Sequence, residues 1–357
     1  MRVVITGASG NVGSALTRRL QAAEEHDIVA LARRTPDGAA MNGLRWVSVS
    51  IDLSSGDCEH PLQQVFRDAD AVVHLAWAFQ PSHQVRYLEA VGVGGTHRVL
   101  DACISTGVGQ VVHMSSVGAY SPKRDSEAVG EDWPVDGVPS SAYSRHKAAA
   151  EGLLDSFEHS SQGTAVARLR PGIIGQRSAG SASLRYVLPV LLPARAIAAV
   201  PVLPMPAELT IPMVHADRRR RGGDRSGPAA EGCWSAQPGR GDFGQRAMIA
   251  EALGARWVET PAQLIHALML AAWRARLQPV APGWLDLGCA APALGSSRAE
   301  RELGWSPKVD AMGVLRETID GMCHASAGST AVLRHRTVTS ELSELFGRGP
   351  ISHRRRP

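Results

Sequence analysis

The chain has 357 residues, 44% apolar and 20% charged, which is long enough for one large α/β unit with a smaller lobe and apolar enough for a sizeable core. Aromatic residues at 5% argue against a stacking platform for single-stranded nucleic acid. Five scattered cysteines, none in a CxxC pair, argue against a disulfide framework or a cysteine metal site and fit a reducing cytosol, so a cytoplasmic protein without a bound metal is expected. The net charge of +4 resides in two blocks, Arg218 to Arg221 and Arg354 to Arg356; without them the remainder is slightly acidic. They read as solvated runs rather than as a nucleic-acid or membrane patch.

In chain order, short β-branched runs alternate with helical patterns. Strands are expected at Arg2–Thr6, Asp27–Ala32, Arg45–Ser48, Ala71–Leu75, Gln110–Met114 and Ala165–Arg170. Helices are expected at Val12–Ala23, Leu62–Arg67, Tyr87–Thr106 and Tyr143–His159. This alternation predicts an α/β fold with a doubly wound parallel sheet and a ligand crevice at the carboxyl ends of its strands. No leader is expected, because Met1-Arg2 runs straight into Val3-Val4-Ile5 and then glycines. The most apolar stretch, Val187–Pro204, carries Arg195 and four prolines, which disfavours a membrane helix.

The turn Thr6-Gly7-Ala8-Ser9-Gly10-Asn11-Val12-Gly13 sits between the first strand and the first helix. Gly7 permits the tight turn, Gly10 lets backbone approach a pyrophosphate, and Gly13 allows close helix–strand packing, so Gly7, Ser9, Gly10, Asn11, Val12 and Gly13 are expected to hold a dinucleotide. About 20 residues on, where a carboxylate would select NAD, stand Arg33 and Arg34; guanidinium groups suit a 2′-phosphate, so NADP is favoured and NAD kept open, as is a merely solvent-facing arginine pair. Asp52 and Leu53 follow the third strand and are placed at the adenine; Leu75 and Ala76 follow the fourth, along the ribose. His74 reads as a packed strand-end histidine rather than a catalyst.

Tyr143 and Lys147 lie four residues apart, on one face of a helix. A phenol is a poor base at neutral pH unless a cation steadies its anion, and the lysine supplies one while also reaching a ribose hydroxyl. Upstream, a strand ends in His113-Met114-Ser115-Ser116, where a hydroxyl can hold a substrate oxygen against the tyrosine.

With these motifs the chain resembles the extended branch of the short-chain dehydrogenase/reductase superfamily, the NAD(P)-dependent epimerase/dehydratase group, over about residues 1 to 322. The likeness also rests on Arg170-Pro171-Gly172 and on Ser297 to Trp305. The resemblance implies a Rossmann domain over residues 1–175, a substrate lobe over 176–323 that returns to the sheet near 207–217, and catalysis by Ser116, Tyr143 and Lys147. It selects Ser116 because Tyr120 follows four residues later, brings Pro171 and Ile173 to the cofactor, and implies a homodimer through the long fourth and fifth helices. Residues 324–357 lose periodicity and are expected to form a disordered basic tail.

Two departures from the family pattern stand out. Its usual asparagine in the fourth helix is replaced by Gly92, which predicts weakened proton exchange and a looser helix. Residues 218–245 are rich in Arg and Gly and almost without periodicity; a compensated reading-frame shift or a genuine surface insertion would each explain them, and a mobile loop is expected. An oxidoreductase acting on a carbonyl/alcohol substrate is favoured, because Arg168-Leu169-Arg170-Pro171-Gly172 follows the form commoner among reductases. A nucleotide-sugar epimerase or dehydratase and a noncatalytic NADP-binding sensor are the alternatives.

Overall fold

Six parallel strands build the sheet in the order β3-β2-β1-β4-β5-β7. They are β1 (Arg2–Thr6), β2 (Asp27–Ala32), β3 (Arg45–Ser48), β4 (Ala71–His74), β5 (Gln110–Met114) and β7 (Ala165–Leu169), β6 being the short Ala128–Val129. The computed structural model describes residues 1–36, 43–51, 59–79, 82–125, 127–161, 163–187, 193–216, 242–278, 280–304, 309–335 and 337.

The strands are apolar on both faces because both are covered. Val4, Leu31, Val72 and Val111 pack with Phe66 of α2 (Glu59–Phe66), Val99 of α3 (Val85–Thr106) and Leu154 of α4 (Ala142–Ser160). Val3, Ile5, Ala30, Val73 and Val112 form a second cluster with Leu20 of α1 (Asn11–Ala23). The strand order reverses between β1 and β4, which opens the crevice above the glycine turn.

The lobe adds three parallel pairs: β8 (Ile173–Gly175) with β10 (Met213–His215), β9 (Val202–Met205) with β11 (Arg256–Glu259), and β6 with β12 (Ala293–Leu294). Around them lie α5 (Gly180–Val187), α6 (Asp242–Leu253), α7 (Ala262–Arg274), α8 (Gly283–Ala290), α9 (Ser297–Leu303) and α10 (Ala311–Cys323). None of the described helices is long and apolar enough to cross a membrane.

Two expectations need correction. The start of the presumed tail is packed: Leu333 is 1% exposed in a cluster with Ala179 and Ala182, and Arg185 donates to the carbonyl of Arg334 at 2.9 Å. This segment is held by backbone and side-chain hydrogen bonds rather than by an amphipathic face, so periodicity could not reveal it. Residues 242–245, assigned to the aperiodic segment, form the first turn of α6. The rest of that segment, residues 218–241, lies outside the described residues.

Candidate active site

Backbone geometry explains the glycine turn. Gly7 has φ +69°, and a Cβ on it would come 2.6 Å from the Ala76 nitrogen; a Cβ on Gly13 would come 2.3 Å from the Gly7 oxygen. The turn can therefore lie directly against the end of β4 only with glycine there. The first amides of α1, on Asn11, Val12 and Gly13, have no acceptor within the helix and suit an anion. Asn11 ties this turn to the lobe, donating from Nδ2 to the Ile174 carbonyl at 2.8 Å.

Beside the turn is a cavity of about 140 Å³, bordered by Thr6, Gly7, Leu31, Arg33, Ala76 and Tyr87. Its wall of strand-end backbone and apolar side chains, next to open helix amides, fits the adenosine and pyrophosphate of a dinucleotide. Arg33 borders it and donates to the Tyr87 hydroxyl at 2.8 Å, whereas Arg34 is exposed. The Leu75 amide donates to the Thr6 carbonyl at 3.1 Å. The Pro171 carbonyl accepts from the Val117 amide at 2.9 Å, and Ile173 is half exposed at the start of β8. Asp52 and Leu53 lie outside the described residues. Val332, in the segment after α10, closes the same cavity, and Thr330 Oγ1 donates to the Ser9 carbonyl at 2.7 Å. Neither residue was foreseen.

His74 is packed, as read from the strand end. Its Nδ1 shares a 2.7 Å hydrogen bond with Thr6 Oγ1 and its Nε2 a 3.1 Å one with Thr96 Oγ1. Burial, with a smaller contribution from the Lys147 charge, pushes its pKa down to about 3, so it is neutral at physiological pH.

Ser116, Tyr143 and Lys147 are brought together. Ser116 caps the short turn after β5, its Oγ accepting from the Gly118 amide at 3.0 Å, and its side chain favours the charged form of the neighbouring Tyr143 phenol. Ser144 fixes the start of α4 on that turn, donating to the Gly118 carbonyl at 2.5 Å while accepting from the Val138 amide at 2.6 Å. Burial raises the Tyr143 phenol to about 12, against the lowering effect of Ser116. Lys147 is buried, donates from Nζ to the Met114 carbonyl at 2.8 Å, and is pushed down to about 7 by burial, against the opposing charge of Glu151. The indole of Trp77 covers its Nζ at 3.4 Å from the ring centroid.

Arg170 holds the back of the site. Its Nε and Nη2 fork onto Glu151 at 2.7 and 2.9 Å, and its Nη1 donates to the Tyr120 hydroxyl at 3.1 Å, joining α4 to the serine turn. Sequence reading also missed Trp77, Phe79 and Trp284, which surround the phenol, and Tyr186, which stands edge-on to Phe79. Trp77 and Phe79 carried a usable signal, since they follow the His74-Leu75-Ala76 motif directly. A phenol that keeps its proton to high pH, beside a serine hydroxyl, can protonate an alkoxide; removing a proton from an alcohol needs nearby positive charge.

Residues 3–191 match the model of the NAD dependent epimerase/dehydratase family. The L-arabinose 1-dehydrogenase (NAD(P)(+)) of Haloferax volcanii is 30% identical over 183 residues, 48% of this chain and 66% of that protein. The decarboxylating sterol-4-alpha-carboxylate 3-dehydrogenase of Saccharomyces cerevisiae is 34% identical over 126 residues, 35% of each chain. The chain thus spans less than two thirds of the length of these relatives. The fold is shared with the UDP-glucose 4-epimerase of Thermus thermophilus in complex with NAD, at a TM-score of 0.61 and 22% identity, over 90% of this chain and 99% of that one.

Proposed function

The chain belongs to the NAD dependent epimerase/dehydratase family, and we propose that within it the protein is an NAD(P)-dependent oxidoreductase acting on an alcohol/carbonyl pair. The observation that supports this most is the Ser116 hydroxyl beside the Tyr143 phenol, with Lys147 one turn on along the same face of α4. In the oxidising direction Ser116 Oγ and Tyr143 Oη hold the substrate oxygen, and the Tyr143 phenolate takes the hydroxyl proton. The dinucleotide that Gly7 to Gly13 would hold would supply the acceptor for the hydride leaving the carbinol carbon, so that the alcohol becomes a carbonyl. In the reducing direction the phenol returns the proton to the carbonyl oxygen. In this reading Lys147 steadies the phenolate and reaches a ribose hydroxyl of the cofactor.

The cofactor would lie along Gly7 to Gly13, with its adenosine ribose toward Arg33 and Arg34; two guanidinium groups there support NADP over NAD. A homodimer through α3 and α4 belongs to the same reading and rests on the resemblance. The test is spectrophotometric reduction of NADP⁺ and NAD⁺ with a panel of secondary alcohols. Tyr143→Phe is expected to abolish turnover with cofactor binding nearly intact, and Lys147→Met to damage both. Full activity in Tyr143→Phe would overturn the assignment.

A further inference from the structure

Aromatic residues are scarce in this chain, yet Trp77, Phe79 and Trp284 meet at the reacting phenol. Trp284, in the first turn of α8, stacks on Tyr143 with centroids 4.8 Å apart and planes at 29°. Phe79, after β4, stands edge-on to Tyr143 at 5.4 Å, to Trp284 at 5.2 Å and to Tyr186 of α5 at 6.0 Å. Three separate segments thus deliver rings to one place, and Phe79 is 42% exposed there. A large apolar ring kept half in water at the mouth of a site gains little for folding, and its burial is left for a ligand.

Among the described residues, several charged groups of the adjoining lobe are engaged with one another or with backbone. Asp286 pairs with His266 at 2.8 Å, Arg185 donates to the carbonyls of Val332 and Arg334, and Lys123 donates to the Glu208 carbonyl and Thr210. A diphosphate would require cationic forks turned toward it, whereas this wall offers ring faces and edges.

We propose that the substrate is an uncharged, ring-bearing secondary alcohol or its ketone, packed against Phe79, Tyr186 and Trp284 with its oxygen between Ser116 and Tyr143, and not a sugar nucleotide. The proposal rests on the oxidoreductase reading above.

Calorimetric titration of the full chain with β-tetralone and with UDP-glucose, each in the presence of NADP⁺, tests it. β-Tetralone is expected to bind at least tenfold more tightly than UDP-glucose. Trp284→Ala and Phe79→Ala should each weaken it at least tenfold, and Trp284→Phe should retain most of the affinity. Tighter binding of UDP-glucose, or β-tetralone affinity unmoved in folded Trp284→Ala and Phe79→Ala, would overturn the proposal. Ring-dependent β-tetralone binding without hydride transfer from any alcohol would remove the oxidoreductase reading and leave the ring subsite standing. Alcohol oxidation confined to sugar nucleotides would do the reverse.

Discussion

Gly92 and Trp77 share one space: a Cβ on Gly92 would lie 2.8 Å from Cζ2 of the indole, and the same ring covers the Lys147 ammonium. The glycine in the middle of α3 is the room that the ring needs, and the helix runs from Val85 to Thr106 without a break. A cation over a tryptophan face is worth about 0.5–2 kcal/mol. Here it favours the charged form of a lysine that burial pushes down to about 7. Where the family pattern has an asparagine, this chain has a glycine and an aromatic support for the lysine.

Asparagine restored at position 92 would therefore meet a ring. Gly92→Asn is expected to cost about 1–3 kcal/mol, the usual range for overpacking, read as a lower urea midpoint. Trp77→Ala in the same chain should recover part of that loss. Strictly additive effects of the two substitutions would show that they do not compete for one space.

In the proposed reading cofactor choice turns on Arg33, which borders the cavity and donates to the Tyr87 hydroxyl. NADP(H) is expected to bind at least tenfold more tightly than NAD(H), about 1.4 kcal/mol. Arg33→Asp should reverse the order. Equal affinities in the unaltered protein, measured by titration, would remove the 2′-phosphate role.

The parts legible in sequence are those with short-range rules. The strands β1, β2, β3 and β5 fall where their β-branched runs place them, and the glycine turn follows from backbone contacts that only glycine permits. Tyr143 and Lys147 could be paired because helical spacing is itself a contact rule. Nothing local says that Trp284 lies on Tyr143, since 141 positions separate them and the stack depends on how the lobe closes. Thr330 and Val332 were misplaced in a tail for a related reason: an irregular segment pinned by hydrogen bonds has no period to detect.

The Glu151–Arg170 fork makes a prediction about acid. Burial alone would raise the Glu151 carboxyl, but the hydrogen bonds and charge of Arg170 outweigh it and hold the pKa below the ordinary carboxylate value. The folded protein thus binds this proton less readily than the unfolded chain. Its contribution to stability is present above the unfolded pKa, about 4.3, and is lost as pH falls through the lower folded value. Glu151→Gln should flatten the acid limb of the stability profile. Glu151→Ala should cost roughly 3–5 kcal/mol by leaving the Arg170 guanidinium without its partner. An acid limb of unchanged slope in Glu151→Gln would assign the acid sensitivity elsewhere.

The segment after α10 supplies the last test. Leu333 anchors it against Ala179 and Ala182, Thr330 holds the Ser9 carbonyl, and Val332 faces the cavity between these two attachments. Because the anchors flank it, a change at Val332 alters the cavity wall without releasing the segment. Val332→Asp sets a carboxylate beside the proposed path of an anionic dinucleotide, in a largely apolar wall where like charges repel strongly. Cofactor affinity is expected to fall at least tenfold, about 1.4 kcal/mol, and the loss should shrink as salt is raised. Val332→Asn, similar in size and uncharged, should lose much less. Leu333→Ala should instead cost about 2–5 kcal/mol of stability, as a buried leucine does when truncated. Cofactor titrations of the two Val332 variants separate charge from shape, and equal affinities in both would show that this segment does not border the dinucleotide.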